Sequence, residues 1–273
     1  MLCNSSTMRF WIWSLHIFLI IFLTVPLLIA EEKPAQVAQD LKVVQKLGDK
    51  LDLSRVFTDQ RGDTKQLKEI LDPEKPTIVV PAYYNCPRLC SLVLNGVRDI
   101  SMELGLTLRS DYRIVTISFD PKETHELAAS KYSNYMKSMA LSGDLALDHG
   151  WDFLVGEPDQ VSGIMNKIGY PYRSDGKKDF SHGAAIVIIS PDGVISRYLF
   201  GIEFKEKDLR LALVEASDGQ IGSVVDQVML FCFRFDPTKG KYTPQVFAFM
   251  KIFGAITLLF MLPFLFTLWR KHR

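Results

Sequence analysis

Apolar positions in this chain fall into three kinds of run. Two long runs occupy the ends, at 10–30 and 246–269, each about long enough to cross a bilayer as a helix. Between them lie short uninterrupted runs at 77–84, 112–119 and 183–190, the length and composition of buried strands. Other stretches carry their apolar residues on one helical face. Leu89, Leu92, Val93, Val97, Ile100 and Leu104 predict a helix over 88–108. Further helices are predicted over 124–141, 158–168 and 205–216, and a short strand over 151–155. Pro191-Asp192-Gly193 is a hairpin turn signal, so 194–200 should return antiparallel to the strand before it.

Strands alternate with helices, then a hairpin and a last helix close the order. That sequence of elements predicts a thioredoxin-like three-layer α/β/α sandwich. The chain then divides into a signal peptide or N-terminal membrane anchor (1–30), a polar linker with a short helix (31–50), the thioredoxin-like domain (51–220), a juxtamembrane segment (221–245), a transmembrane helix (246–269) and a cytoplasmic tail (270–273).

The charges at the ends orient the molecule. Arg9 precedes the first run and Arg270-Lys271-His272-Arg273 follow the second, so the positive-inside rule places both in the cytoplasm and 31–245 on the other side. Lys251 can snorkel, and Pro263 is tolerated in a membrane helix. Leu28-Ile29-Ala30 is a poor signal-peptidase site, which leaves cleavage and retention both open. Met8-Arg9 makes a conventional opening for such a segment, and Met8 is the expected start. No Arg-rich amphipathic presequence comes first, so the expected location is a bacterial inner membrane with the domain facing the periplasm.

Composition narrows the function. The 273 residues are 48% hydrophobic and carry a formal net charge of +1, without the basic patch that nucleic-acid binding needs. No glycine-rich motif cradles phosphate, so no nucleotide is expected. Three cysteines lie outside the membrane runs and beyond the first segment: Cys86, Cys90 and Cys232. That odd, small number in an oxidising compartment is no disulfide framework and points to a thiol kept for chemistry or metal.

The chemistry centres on Tyr84-Asn85-Cys86-Pro87-Arg88-Leu89-Cys90. Cys86 is expected where a buried strand meets a helix, with Pro87 at the first helical position. Residues four apart share a helical face with Cβ atoms ~5–6 Å apart. The positive end of the helix lowers a thiol pKa, so both sulfurs can be thiolates near neutral pH. They could take a soft ion, close a disulfide, or pack as small hydrophobes. The third partner is His182, in Asp179-Phe180-Ser181-His182-Gly183, because the loop before that strand faces the active-site turn of such a sheet. Taken alone, a histidine at a strand edge is a surface or capping residue. His125 and His149 fit less well, and His16 and His272 lie in or beyond the membrane runs. Two thiolates and one imidazole suit copper, and zinc with an open position is the other choice.

At these residues the chain resembles the Sco/SenC copper proteins. Cys86-Pro-x-x-Cys90, Ser118-Phe119-Asp120-Pro121 after the second strand, and His182 before the third occur in that order over roughly 45–218. Those proteins are membrane-tethered, thioredoxin-like, and used to assemble the binuclear copper centre of cytochrome c oxidase. The resemblance implies a copper ion as cofactor, with Cys86, Cys90 and His182 as its ligands. It implies for Asp120 a nearby carboxylate that tunes the site or meets a partner; a helix N-terminal turn residue is the alternative.

Two features depart from the pattern. Ser91 stands where many members have proline, and the C-terminal membrane helix is an addition, although 231–242 looks like the tail of longer bacterial members. Cys232 reads as an extra sulfur near the site or a buried small hydrophobe. The expected role is a metallochaperone rather than an enzyme, passing copper to the copper-bearing oxidase subunit at the membrane. The alternative is a thiol-disulfide oxidoreductase that keeps the recipient's cysteines reduced, with Cys86 attacking and Cys90 resolving. A redox pair usually has two intervening residues and needs no histidine, which favours copper. A peroxidase-type relative would place a threonine just before Cys86, where this chain has tyrosines, and the nine scattered methionines argue against copper storage.

Overall fold

A computed structural model of the chain describes residues 41–273, apart from 142, 177–178, 219–224, 227–228, 231–232, 237, 239, 245–253, 255, 262, 264–269 and 271–273. Everything described belongs to one unit, Leu41–Arg273. The first apolar run, the expected start at Met8, Cys232 and most of 246–269 lie outside the described residues. Among the described residues no helix is long and apolar enough to cross a membrane. Residues 256–261 are helical, with Leu258, Leu259 and Phe260 exposed.

The elements in order are β1 (Val56–Thr58), β2 (Thr64–Gln66), α1 (Leu67–Ile70), β3 (Thr77–Ala82), α2 (Leu89–Glu103), β4 (Arg113–Ser118), α3 (His125–Ser138), β5 (Trp151–Leu154), α4 (Pro158–Lys167), β6 (Tyr172–Ser174), β7 (Phe180–His182), β8 (Ala185–Ile189), β9 (Ile195–Phe200), α5 (Glu206–Ala216), β10 (Phe233–Asp236) and β11 (Lys241–Pro244). The central sheet has the order β5-β4-β3-β8-β9. β3, β4 and β5 run parallel, β8 runs antiparallel to β3, and β9 antiparallel to β8. Every residue of β3 and β8 is buried, as continuous apolar runs require when both faces are covered.

Helices cover both faces. Arg197 of β9 pairs with Glu215 of α5, whereas the next residue, Tyr198, donates its hydroxyl to the Ile168 carbonyl at the end of α4. Neighbouring strand residues point to opposite faces, so α5 and α4 lie on opposite sides of the sheet. Asn95 of α2 bonds Tyr135 of α3, and Arg210 of α5 bonds the Leu104 carbonyl, which groups α2, α3 and α5. The expected α/β/α layering is present.

Three differences from the expected elements matter. The helix after β3 begins at Leu89, not 88, and stops at Glu103, because Gly105 takes a left-handed φ of 63° and ends it. Of the expected linker and short helix at 31–50, residues 31–40 lie outside the described residues and 41–50 hold no helix; Val43 is buried in the core and the Val44 N–H donates to the Gly169 carbonyl. A small two-stranded hairpin, β6–β7, stands outside the central sheet and was not anticipated.

The sheet itself prepares a crevice. The β3–β8 ladder covers only Thr77–Val79 against Ile189–Val187, whereas β3 pairs with β4 as far as Ala82. Pro81, which has no N–H to give, lies beyond the end of that ladder. The carboxyl end of β3 is thus open on the side where β7 leads into β8, the type of place where open α/β sheets bind ligands.

Candidate metal centre

The chain leaves β3 through Tyr83 and Tyr84, both buried, and turns sharply before α2. The Cys86 N–H donates to the Tyr83 carbonyl at 3.3 Å. The Glu123 carboxylate accepts the N–H of Tyr84 at 2.6 Å and of Asn85 at 2.7 Å, and the Ser118 hydroxyl at 2.6 Å. These bonds hold 84–86 out of helical conformation. Cys86 and Pro87 therefore precede the helix, Arg88 is its cap, and the first helical bond runs from the Leu92 N–H to the Arg88 carbonyl. The two cysteines meet because of this turn, not because they share a helical face, which corrects the expected geometry.

The sulfurs are coupled through the start of the helix. The Cys90 N–H donates to Cys86 Sγ at 3.2 Å, and the Tyr83 N–H donates to Cys90 Sγ at 3.4 Å. His182, the last residue of β7, brings its Nε2 within 3.2 Å of Cys90 Sγ. One donor atom from each of Cys86, Cys90 and His182 lies within 4.8 Å of the others.

The imidazole is fixed from behind. Its Nδ1 lies 2.7 Å from the Gly183 carbonyl oxygen and 2.8 Å from the Tyr170 hydroxyl. A carbonyl can only accept, so Nδ1 carries a proton and Nε2 is the nitrogen that faces the sulfurs. Such a partner orients a metal-binding histidine. Phe119 packs edge-on against the ring with centroids 5.0 Å apart, and Tyr83 does so at 6.2 Å.

The two thiols are shifted in opposite directions. Cys86 is pushed far down, first by the Cys90 thiol donating to it, with burial opposing and with His182 and the N–H groups of Arg88 and Cys90 adding to the effect. Cys90 is pushed far up by that same bond and by its burial. The pair holds one proton and one negative charge. Cys90 is 1% exposed and Cys86 8%, so the charged sulfur is the one nearer solvent.

The structure does not bring Asp120 into this cluster. Its carboxylate accepts the Lys122 N–H at 3.0 Å and its carbonyl the Glu123 N–H, the work of a turn residue ahead of α3. The acid that supports the cysteine loop is Glu123, three residues further on and buried. Burial raises its pKa above the ordinary carboxylate value, against the bonds from Ser118, Tyr84 and Asn85. A glutamate just before a helix reads as solvated, so nothing in the sequence marks Glu123 as buried. His125 lies at Gly62 and pairs with Glu126, away from the sulfurs.

Two sulfurs and one imidazole nitrogen, preorganised and half-shielded, fit a soft ion such as Cu(I), and the proton between the sulfurs is what such an ion would displace. The sequence profile of the family described as SCO1/SenC matches residues 48–213 of this chain. A protein of Stutzerimonas stutzeri, described as a candidate copper-binding protein, is 21% identical over 118 residues, 42% of this chain. That alignment spans about half of the relative's own length (52%). The crystal structure of a candidate electron transfer protein of Aquifex aeolicus VF5 aligns with a TM-score of 0.55 at 25% identity, covering 64% of this chain and 96% of its own. The structure of Bradyrhizobium japonicum ScoI with copper bound aligns at 20% identity over 63% of this chain and 98% of its own, with a TM-score of 0.45.

Proposed function

The chain belongs to the SCO1/SenC family, and from that membership together with the site geometry we propose that it is a membrane-tethered copper chaperone acting in cytochrome c oxidase assembly. The observation that carries the reading is the convergence of Cys86, Cys90 and His182 within 4.8 Å, with Nε2 of the imidazole directed at the sulfurs. Copper is the cargo. Binding displaces the proton that Cys90 donates to Cys86, and the Nε2 lone pair completes a three-donor site while Nδ1 stays bonded to Gly183. Release is ligand exchange with the copper-bearing subunit of the oxidase, beginning at Cys86, the more exposed sulfur. The apolar runs at 10–30 and 246–269 tether the domain to a bacterial inner membrane, facing the periplasm.

One observation favours a second reading. A charged, slightly exposed Cys86 beside a buried protonated Cys90 is the arrangement of an attacking and a resolving thiol. A thiol-disulfide oxidoreductase acting on the recipient's cysteines would use it without histidine.

The two readings part at His182. The purified full-length chain should bind one Cu(I), and Cys86→Ser, Cys90→Ser and His182→Ala should each weaken binding at least ~10-fold, the scale expected when metal-site groups are lost. Metal content by competition with a chromophoric chelator, with thiol titration on the same sample, measures both. A His182→Ala chain that binds copper like the parent would remove the three-donor site; one that loses copper yet keeps full disulfide exchange and supports oxidase assembly would favour the redox reading.

A further inference from the structure

His182 reaches the sulfurs on an element with little support of its own. Among the described residues the β6–β7 hairpin pairs only with itself, through Tyr172–His182, Arg173–Ser181 and Ser174–Phe180, and stands outside the central sheet. An isolated two-stranded hairpin is marginally stable at best. Slipping its register by one residue would turn His182 to the opposite face. Something must hold the hairpin down and in register.

Part of the hold is aromatic. Phe180 packs on Tyr83 with centroids 5.2 Å apart and on Phe119 at 5.6 Å, and Tyr172 packs on Phe119 at 5.1 Å. These contacts are apolar and tolerant of sliding. Besides the bond from Tyr170 to His182, the directional contact is a hydrogen bond from the Tyr83 hydroxyl to the Asp179 carboxylate. Tyr83 is the first residue after β3, three before Cys86, and is 1% exposed.

Asp179 lies immediately before β7 and is held there by its own backbone. Its carboxylate also accepts the Phe180 N–H at 2.8 Å. Its N–H donates to the Asp175 carboxylate at 3.1 Å, and its carbonyl accepts the Asp175 N–H at 3.0 Å. A hold on this carboxylate is therefore a hold on the hairpin.

We propose that Tyr83 and Asp179 form a clasp between the cysteine loop and the β6–β7 hairpin, and that this clasp positions His182 over the two sulfurs. Tyr83 and Asp179 are positioning residues: they act on the ion through the histidine. The role in metal binding rests on the copper reading; the clasp itself is testable without metal.

The test is a double-mutant cycle in the full-length chain with Tyr83→Phe, Asp179→Ala and the pair, since asparagine would keep the Oδ1 acceptor that the tyrosine uses. Tyr83→Phe keeps the ring that packs on Phe119 and Phe180. Each single change should weaken Cu(I) binding about 10-fold, the lower end of what outer partners of metal ligands contribute. The double variant should be no weaker than the more affected single, because one interaction is lost in all three. Asp179→Glu, which keeps a carboxylate, should restore part of the loss. Chains loaded with Cu(II) should show weaker nitrogen hyperfine coupling from the imidazole in step with the affinity.

In the metal-free chains, hydrogen exchange at 180–182 should quicken in all three variants while the β8 amides stay as protected as in the parent. Single variants within twofold of the parent, losses that multiply in the double, losses with unchanged nitrogen coupling, or unchanged exchange at 180–182 would each overturn the clasp. If the parent takes up no copper, the copper reading fails and the exchange measurement alone decides the clasp. If the parent binds copper and the variants match it, the clasp fails and the copper reading stands.

Discussion

Nε2 of His182 lies 3.2 Å from the sulfur of Cys90, across 92 positions of sequence. The contact joins the two parts of the chain that flank the open end of β3: the turn into α2 and the hairpin that feeds β8. Copper binding and thiol chemistry draw on this one contact region, and the consequences can be separated by experiment.

Copper and a Cys86–Cys90 disulfide should exclude each other, because the same two sulfurs serve both. Oxidised chain should take up no Cu(I), and chain already loaded with Cu(I) should resist mild oxidants that close the disulfide in the metal-free form. Thiol titration alongside metal analysis follows both. Oxidised protein that keeps its copper at full stoichiometry would contradict the shared-sulfur site.

Glu123→Gln should loosen the cysteine loop. The amide keeps one acceptor oxygen where the carboxylate uses two, leaving the buried N–H of Tyr84, the Asn85 N–H or the buried Ser118 hydroxyl without its partner. An unsatisfied buried group costs about 1–3 kcal/mol. Urea unfolding should show a loss in that range, together with weaker Cu(I) binding. Asp120→Asn should change both far less, since its side chain serves a local turn. Equal effects at the two positions would refute the assignment of loop support to Glu123.

Acid should weaken the fold partly through Asp148. Burial opposes its ionisation, but the hydrogen bonds from Arg113 and the Gly150 N–H, with the charges of Arg113 and Arg109, hold its pKa down to about 2. An unfolded aspartate titrates near ~3.9. The stabilisation is therefore complete above about pH 4 and is lost as the pH falls toward about 2. Asp148→Asn should lower stability at pH 7 by no more than ~1 kcal/mol, since the pair is partly exposed, and should lose less than the parent on going to pH 3. Urea midpoints at pH 7, 4 and 3 test this; parallel losses in the two proteins would deny Asp148 the role.

The proposed topology places 31–245 on one side of the membrane and the C-terminus on the other. A reporter active only in the cytoplasm should work when fused after Arg273, and one active only in the periplasm when fused after Tyr242. An active periplasmic reporter at Arg273 would overturn the topology, and with it the placement of the copper site on the periplasmic side.

The sequence by itself determined the layers and the donor set. Continuous apolar runs became β3, β4 and β8, and one-sided apolar stripes became α2 to α5, because burial on two faces or on one is written locally in the spacing of apolar side chains. Cys86, Cys90 and His182 were legible as soft donors in a recognisable order. Tertiary structure decided how they meet. The hairpin that carries His182 has three-residue strands with exposed polar positions, too short and too mixed to show a period. The helix begins at Leu89 rather than beside Cys86 because Glu123, from the far side of β4, takes the N–H groups of Tyr84 and Asn85. Asp120 and Glu123 look alike in sequence, and only packing shows which carboxylate is buried against the cysteine loop. The proton shared unequally between the sulfurs belongs to tertiary structure too. Thiol ionisation depends on which hydrogen atoms and charges lie within a few ångströms, and those come from segments that sequence spacing does not bring together.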